Sequence, residues 1–275
     1  MASKKKKRPH RRSLAQQADR HALYEEAVQD PAGDVAVVRR LFRKHYGRDP
    51  RLLREDFCGT AALACAWVAA HRENRAFGVD FDPDPLGWGL RHNVAALSDQ
   101  QARRIKLLEG DVREVSHGRV DVTVAFNFSY FVFQSRLELV NYFRKARSTL
   151  RRQGLFVLDL YGGPESQRTL TETREHDHFD YVWDQDVFDP IQQHAVNHIH
   201  FEFPDGSRLQ RAFTYDWRLW SIPELREALE EAGFRSTQAY WERTDSESEE
   251  GSGIYYPTES AADDPAWVTY LSALP

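Results

Sequence analysis

The chain has 275 residues, of which 41% are hydrophobic and 29% are charged, and its formal net charge is −5. This length suffices for one sizeable core, or for one core with a lobe inserted in it. No apolar run reaches the roughly 18 residues that a membrane helix needs, and no secretory leader opens the sequence. Cys58 and Cys65 are the two cysteines, too few for a disulfide framework. We expect a reduced, cytoplasmic protein with no membrane contact.

Positive charge is concentrated at the start of the chain. Residues 1–12 hold seven of the 37 Lys and Arg and none of the 42 Asp and Glu. The remaining residues therefore carry 30 basic and 42 acidic side chains, a net charge of about −12. An acidic body argues against a broad groove for nucleic acid. Residues 1–13 are predicted to form a basic disordered tail. Contact of this tail with RNA, a membrane surface or the protein's own acidic face stays open.

Residues 14–50 carry apolar side chains at a spacing of three to four, which predicts helices. The segment DPAG at 30–33 divides them into two. These helices are expected to form an N-terminal cap, either at the edge of the next domain or at the mouth of its site. In the second case Tyr24 and Gln29 would reach a ligand.

Residues 51–163 alternate between short apolar runs and helical segments. This alternation predicts a parallel β-sheet with helices on both faces, an α/β three-layer sandwich whose sites lie at the carboxyl ends of the strands. A helix and two strands in residues 221–275 are predicted to complete the same domain. The strands of the first part are predicted at residues 51–57, 75–80, 105–108, 121–126 and 155–160.

The pattern changes in residues 164–220. Ten aromatic residues fall between 176 and 220, and the segment PDGS at 204–207 separates two alternating runs. An inserted lobe of antiparallel hairpins is therefore expected. Its rings would form either a pocket and lid for a ligand or a small core beneath the hairpins. The acidic loop at 245–251 is given no function.

Three positions at the ends of successive strands indicate a nucleotide-type pocket. Gly59 stands at the turn from strand to helix, where a glycine lets a ligand approach the backbone. Asp80 ends the second strand, where a carboxylate accepts from ribose hydroxyls. Asp111 follows the third strand, where it would accept from an adenine amino group while the Val112 amide donates to the ring. A lone glycine does not fit the G-x-G-x-x-G loop of a pyrophosphate ligand.

The segments EDFCGTA at 55–61, GVD at 78–80 and EGDV at 109–112 resemble the first three motifs of class I S-adenosylmethionine-dependent methyltransferases. Residues 121–127 and 150–157 resemble the fourth and fifth. The family's first motif usually has three alternating glycines, and here Phe57 and Ala61 replace the outer two. The resemblance implies a seven-stranded, mostly parallel sheet with the last strand antiparallel, and S-adenosylmethionine as the cofactor. It also implies cofactor contacts from Arg54, Phe57, Gly59, Asp80, Asp111, Val112 and Asn127.

Methyl transfer is an in-line displacement, so alignment of the reacting atoms supplies much of the acceleration. An acceptor hydroxyl or ammonium also needs a base. Tyr130, Tyr161 and His176 are the candidate catalytic residues. The segment 127–130 distantly resembles the Asn-Pro-Pro-Tyr loop of enzymes that methylate amino groups; the other interpretation is a general wall of the active site. The lobe's histidines lack the partners for a metal site, and none is predicted.

The sequence thus predicts an S-adenosylmethionine-dependent methyltransferase, a transferase that acts on a nitrogen or oxygen of a small-molecule acceptor. Two alternatives stay open. The first is an RNA or protein methyltransferase that uses the basic tail, and the second is a non-catalytic module that binds S-adenosylmethionine. The identity of the acceptor, the methylated atom and the oligomeric state do not follow from the sequence.

Overall fold

The computed structural model describes residues 12–244 and 251–275. Residues 1–11 of the predicted basic tail, and most of the acidic loop, lie outside this part. The helices of the described part are α1 (Leu14–Gln17), α2 (Arg20–Val28), α3 (Pro31–Tyr46), α4 (Ala62–Ala70), α5 (Pro83–Gly89), α6 (Asp99–Ala102), α7 (Arg136–Thr149) and α8 (Ile222–Glu231). The first six strands are β1 (Leu52–Asp56), β2 (Arg75–Asp80), β3 (Ile105–Glu109), β4 (Val120–Ala125), β5 (Leu150–Gly162) and β6 (Leu170–Glu175). The last six are β7 (Asp180–Asp189), β8 (His194–Glu202), β9 (Arg208–Arg218), β10 (Ser236–Thr244), β11 (Gly251–Thr258) and β12 (Trp267–Leu274).

The main sheet has the strand order β11-β10-β12-β5-β4-β1-β2-β3. Strands β1 to β5 pair in parallel, and β12 is antiparallel to both β5 and β10. The predicted α/β fold class is confirmed, with eight strands where seven were expected. The additional strand is β11, which pairs with β10. Its sequence contains two glycines and a proline, residues that are depleted in strands, so the pattern gave no strand signal.

Apolar side chains of the sheet pack against helices on both of its faces. On one face, residues of α3 and α4 such as Phe42 and Trp67 pack against Val122 and Val157. On the other, residues of α7 and α8 pack against the opposite side of β4, β5 and β12. Because β4 and the second half of β5 are covered on both faces, most of their residues are apolar, whereas β1 buries the charged side chains of Arg54 and Asp56.

Strands β6 to β9 form a separate antiparallel sheet in the order β6-β7-β8-β9. Its lower part holds a small core in which Phe179, Ile199 and Phe201 pack with Leu23 of α2. Helix α1 is tied to this sheet because the Leu14 amide donates to Asp205 at 2.9 Å. The aromatic lobe therefore has a core of its own, and the N-terminal helices join it to the main domain.

Candidate active site

The carboxyl ends of five neighbouring strands bring four sequence-predicted residues, together with Asp159, to one edge of the main sheet. In spatial order, Asp111 follows β3, Asp80 ends β2, Gly59 follows β1, Asn127 follows β4 and Asp159 lies near the end of β5. Adjacent strands are about 4.8 Å apart, so two strand spacings, about 10 Å, separate Asp80 from Asn127. Motifs that are distant in sequence thus form one continuous row.

Asp80 and Gly59 are joined directly. The Gly59 amide donates to one oxygen of the Asp80 carboxylate at 2.8 Å, and the Asp82 amide donates to the other at 3.0 Å. Burial raises the pKa of Asp80. Among the described residues, and apart from its two chain neighbours, no group lies within 4 Å of the position that a Cβ at Gly59 would take. Phe81, which follows Asp80, is 71% exposed. This open space beside an anchored carboxylate and an exposed ring fits the ribose and base of a nucleoside.

The turn from β1 into α4 keeps a left-handed backbone at three alternating residues. The φ angles are 59° at Phe57, 51° at Gly59 and 60° at Ala61. Left-handed residues other than glycine cost roughly 1–2 kcal/mol each. The loop therefore has a glycine-like conformation at the positions where the related motif has glycines. The Phe57 ring packs edge-on against Phe133 and Tyr142, on the face of the sheet that α7 covers.

Asp111 is held by a charged neighbour. The Arg113 guanidinium donates to both Asp111 oxygens, at 3.0 Å and 2.6 Å, and this hydrogen bonding lowers the pKa of the carboxyl. Val112 is buried beside it, and its carbonyl accepts from the Arg54 side chain at 2.8 Å. A nucleobase bound at the end of β3 would lie beside an ionised carboxylate that Arg113 orients.

Arg54 does not reach the row, and the prediction that it contacts the cofactor needs correction. Its side chain is 0% exposed, and its Nε donates to Asp56 at 2.5 Å. The guanidinium also donates to the carbonyls of Val112 and Val115, while Tyr142 donates to the second Asp56 oxygen at 3.1 Å. Alternation along β1 directs Arg54 into the core, where it links β1 to the loop after β3.

A cavity of about 570 Å³ lies between the carboxyl edge of the main sheet and the inner face of the lobe. Its floor begins at Asn127, Phe128 and Asp159, next to the end of β1. The lobe, α2, β5 and β12 supply aromatic walls: Tyr24, Tyr161, Tyr181, Trp183, Tyr215, Trp217, Trp267 and Tyr270. Gly162 is needed beneath the Trp267 ring, because a side chain there would overlap it at 2.3 Å. Of the two interpretations of the lobe, the rings of its inner face favour the pocket.

Asp159 anchors the loop that follows β4. Its two carboxylate oxygens accept from the amides of Asn127, at 2.8 Å, and Phe128, at 3.0 Å. Both residues are left-handed, with φ of 56° and 57°, a conformation that asparagine tolerates and phenylalanine does not favour. Asp159 is 8% exposed, and burial raises its pKa to about 7. A carboxylate with this pKa can exchange a proton near neutral pH.

Asp34 is a second acid in the cavity, and it is half-buried. It lies on α3 and accepts from the Tyr270 hydroxyl at 2.9 Å, and burial raises its pKa to about 6. The charge of Asp34 contributes to the raised pKa of Asp159. On the other side, Tyr24 of α2 stands in the wall and is hydrogen-bonded to Tyr215 of the lobe. Helices α2 and α3 therefore contribute to the wall of the cavity.

The three predicted catalytic residues have different positions. Tyr161 lines the cavity, and its hydroxyl accepts from Asn197 at 3.4 Å. Tyr130 is fully buried and donates to the Asp159 carbonyl at 2.8 Å, so it supports the floor from beneath. His176 stacks on Phe179 in the turn between β6 and β7, away from the cavity. The positions of Tyr130 and His176 therefore do not fit the prediction that these two side chains contact the acceptor.

Sequence reasoning missed Asp159, Asp34 and Phe81. Asp159 ends an apolar run much as Asp80 does, and that repeated signal was sufficient to find it. Phe81 follows Asp80 directly, but only the structure reveals that it is exposed. Asp34 sits among apolar residues of a helix, and its place in the site depends on how α3 meets β12.

Two histidines of the lobe, His198 and His200, are paired with acidic side chains of β7. His198 lies 3.3 Å from Asp186 and His200 lies 3.2 Å from Asp184. Within residues 12–244 and 251–275, no three His, Cys, Asp or Glu side chains are arranged to hold a metal ion. No helix of the same residues has both the length and the apolar character to cross a membrane.

Comparison with known proteins finds similarity in structure alone. No family model matches the chain, and no curated protein has a similar sequence. The CcbJ methyltransferase of Streptomyces caelestis superposes with a TM-score of 0.65 at 20% identity, over 90% of this chain and 97% of that one. CalS10, an amino pentose methyltransferase from Micromonospora echinaspora solved with bound S-adenosylmethionine, gives 0.65 at 14%, over 93% and 96%. The sugar N-methyltransferase KedS8 from a Streptoalloteichus species gives 0.62 at 16%, over 100% and 98%. The chain has the class I methyltransferase fold.

Proposed function

We propose that this protein is an S-adenosylmethionine-dependent methyltransferase that transfers a methyl group to an amine nitrogen of a small molecule. The proposal rests on one observation: the carboxyl edge of the main sheet, formed by the ends of β1 to β5, is divided into two halves. The ends of β1, β2 and β3 offer a nucleoside-type site, and the ends of β4 and β5 form the floor of a separate cavity. Asn127 lies between the halves, where a methyl donor and its acceptor would meet.

The cofactor half consists of Gly59, Asp80, Phe81 and Asp111. In the proposal Asp80 accepts from the ribose hydroxyls, the exposed Phe81 ring covers the base, and Asp111 accepts from its amino group. Phe57 shapes the loop through its left-handed backbone. When bound, S-adenosylmethionine supplies a methyl group made electrophilic by the sulfonium charge. Arg54 acts on this half only through the Val112 and Val115 carbonyls.

The acceptor half suits a small amine. A cavity of about 570 Å³ is within the usual range for small-molecule sites. Its aromatic faces attract an ammonium group. Asp159 and Asp34 stand in the same space, and Asp159, whose pKa is about 7, takes up the proton that the ammonium must lose. In this proposal, residues 164–220 act as the acceptor-binding lobe.

The structural relatives agree with this choice of acceptor. Two of them are described as an amino pentose methyltransferase and a sugar N-methyltransferase. A broad polyanion such as RNA is disfavoured, because acidic side chains line the cavity. The direct test is incubation of the purified protein with labelled S-adenosylmethionine and small amines or matched alcohols. Transfer to amines is expected, and transfer to alcohols alone would contradict the choice of nitrogen.

Replacing Asp80 with alanine is expected to weaken S-adenosylmethionine binding by about tenfold or more, because a charge-assisted hydrogen bond to the ribose is lost. Calorimetric titration measures the change. Asp99→Ala, an exposed acid at the start of α6 and outside the row, is the matched control and should bind normally. An unchanged affinity in a folded Asp80→Ala protein would mean that the cofactor lies elsewhere.

A further inference from the structure

We propose that the acceptor of this enzyme is an organic cation that carries no phosphate group, selected by the charge of the cavity. This inference rests on the proposed function and specifies its substrate class. An amine-bearing sugar or a similar amine would enter in free or neutral glycosidic form. The same amine attached to a phosphate or a nucleoside diphosphate would be rejected.

The charges that line the cavity are strongly unbalanced. Among the residues that the structure describes, six carboxylate side chains and one cationic side chain, that of Arg174, line it. The guanidinium of Arg174 lies over the Tyr181 ring, 5.7 Å from its centroid. The six acids are Asp30, Asp34, Asp159, Glu165, Glu172 and Glu242. In the part of the chain that the structure describes, none of these six forms an ion pair.

The acids stand at different depths, so they act on the whole acceptor and not only on its amine. Asp159 and Asp34 lie in the interior, and burial raises the pKa of both. Glu172 lies on the exposed strand β6, and Glu165 lies in the turn that follows β5. A cation moving from the mouth to the floor therefore meets negative charge along its path, which favours its entry.

The walls complete a site for a cation. Rings of Tyr24, Trp183, Tyr215 and Trp217 stand around the same space, and the Tyr215 and Trp217 centroids are 4.4 Å apart. Ring faces carry negative potential and attract ammonium groups. A phosphate would need several N–H donors or cationic side chains. Of the described side chains that line the cavity, that of Arg174 alone is a cation that could bind a phosphate, and acids surround it.

The test compares amines in matched pairs that differ by one phosphate. Glucosamine and glucosamine 6-phosphate, ethanolamine and phosphoethanolamine, and tyramine and its phosphate ester are titrated against the full chain. Quenching of tryptophan fluorescence reports binding, since three tryptophans line the cavity. Wherever an amine binds, it is expected to bind about tenfold or more tightly than its phosphorylated partner.

Glu172→Gln and Glu175→Gln separate the charge of the cavity from the charge of the surface. Both residues lie on β6, where alternation places Glu172 in the cavity wall and Glu175 on the opposite face. The variants remove the same charge at positions that are both exposed. Glu172→Gln is expected to reduce the preference for the unphosphorylated amine about threefold. Glu175→Gln is expected to leave it unchanged.

Equal or tighter binding of the phosphorylated members would overturn the proposal, and so would failure of all three amines to bind at millimolar concentration. If Glu172→Gln and Glu175→Gln changed the preference for the unphosphorylated amine equally, the acids that line the cavity would not be its cause. These measurements do not depend on methyl transfer. Loss of S-adenosylmethionine binding in a separate titration would contradict the proposed function while the charge preference could still be measured.

Discussion

Replacing Asp159 with alanine is expected to lower kcat for methyl transfer by about 100-fold, since a displacement of about 1 Å at the reacting groups has that cost. The variant removes the carboxylate that holds the amides of Asn127 and Phe128 in a left-handed loop. It also removes the proposed proton acceptor. Steady-state kinetics with labelled S-adenosylmethionine and an amine identified as an acceptor measure the loss.

The control separates catalysis from folding and cofactor binding. Asp159→Asn keeps the size of the side chain and one carbonyl acceptor, so part of the loop's anchoring should survive. Its kcat is therefore expected to lie between that of wild type and that of Asp159→Ala. Affinity for S-adenosylhomocysteine should stay within threefold of wild type in both variants, because Gly59 and Asp80 are on the other half of the edge. A folded Asp159→Ala protein with unchanged kcat would contradict both roles of Asp159.

The same carboxylate gives a pH dependence of cation binding. The pKa values of Asp159 and Asp34 are raised to about 7 and about 6, so both lose negative charge as the pH falls through this range. Tetramethylammonium keeps its charge at every pH, and its affinity is expected to fall as the pH is lowered through about 7 and then about 6. Asp159→Asn should remove the first part of this decline. Burial raises the pKa of the Tyr24, Tyr130, Tyr255 and Tyr270 hydroxyls, and the charge of Asp159 adds to that rise, so these hydroxyls stay neutral over the same pH range.

The second large effect is on stability. Arg54→Met is expected to reduce the free energy of unfolding by about 3–5 kcal/mol, because it leaves the buried Asp56 carboxylate without its cationic partner. Both side chains of the pair are fully buried, and the variant also leaves the carbonyls of Val112 and Val115 without their donor. Denaturant unfolding followed by circular dichroism measures the change.

Arg144→Met is the matched control. Arg144 pairs with Glu231 on the surface at 3.5 Å, with both side chains about half exposed, and its removal should cost less than about 1 kcal/mol. If the two variants had equal effects, Arg54 would not be the structural link that its contacts indicate. The Kd of folded Arg54→Met protein for S-adenosylmethionine should stay within threefold of the wild-type value. If Arg54 contacted the methionine carboxylate directly, the substitution would weaken binding far more.

Most of the main domain could be predicted from its sequence, because strands buried on both faces form apolar runs between helices. The row from Asp111 to Asn127 followed from the positions of those strand ends. Strand β11 could not be found, since glycine and proline interrupt it and its pairing with β10 is tertiary. The number of strands was therefore one too low, although the fold class was right.

The side chains of the site were harder to predict than its backbone. Arg54 lies next to the first motif in sequence, but the pleat of β1 turns it into the core toward Asp56. Tyr130 follows the β4 loop, but its short 3-10 turn directs the ring beneath the floor. Tyr161 was predicted from its position after the fifth strand, and it lines the cavity because β5 extends beyond the end of β4 while it stays paired with β12. Orientation around tight turns depends on packing that sequence periodicity does not encode.

Calorimetric titration of the full chain with S-adenosylmethionine is the most direct test of the proposed function. The shared edge of Gly59, Asp80 and Asp111 predicts one site per chain with a Kd of roughly micromolar order, corresponding to about 8 kcal/mol of binding free energy. Asp80→Ala should raise that Kd by about tenfold or more. No heat of binding from wild type at millimolar S-adenosylmethionine would contradict a methyltransferase.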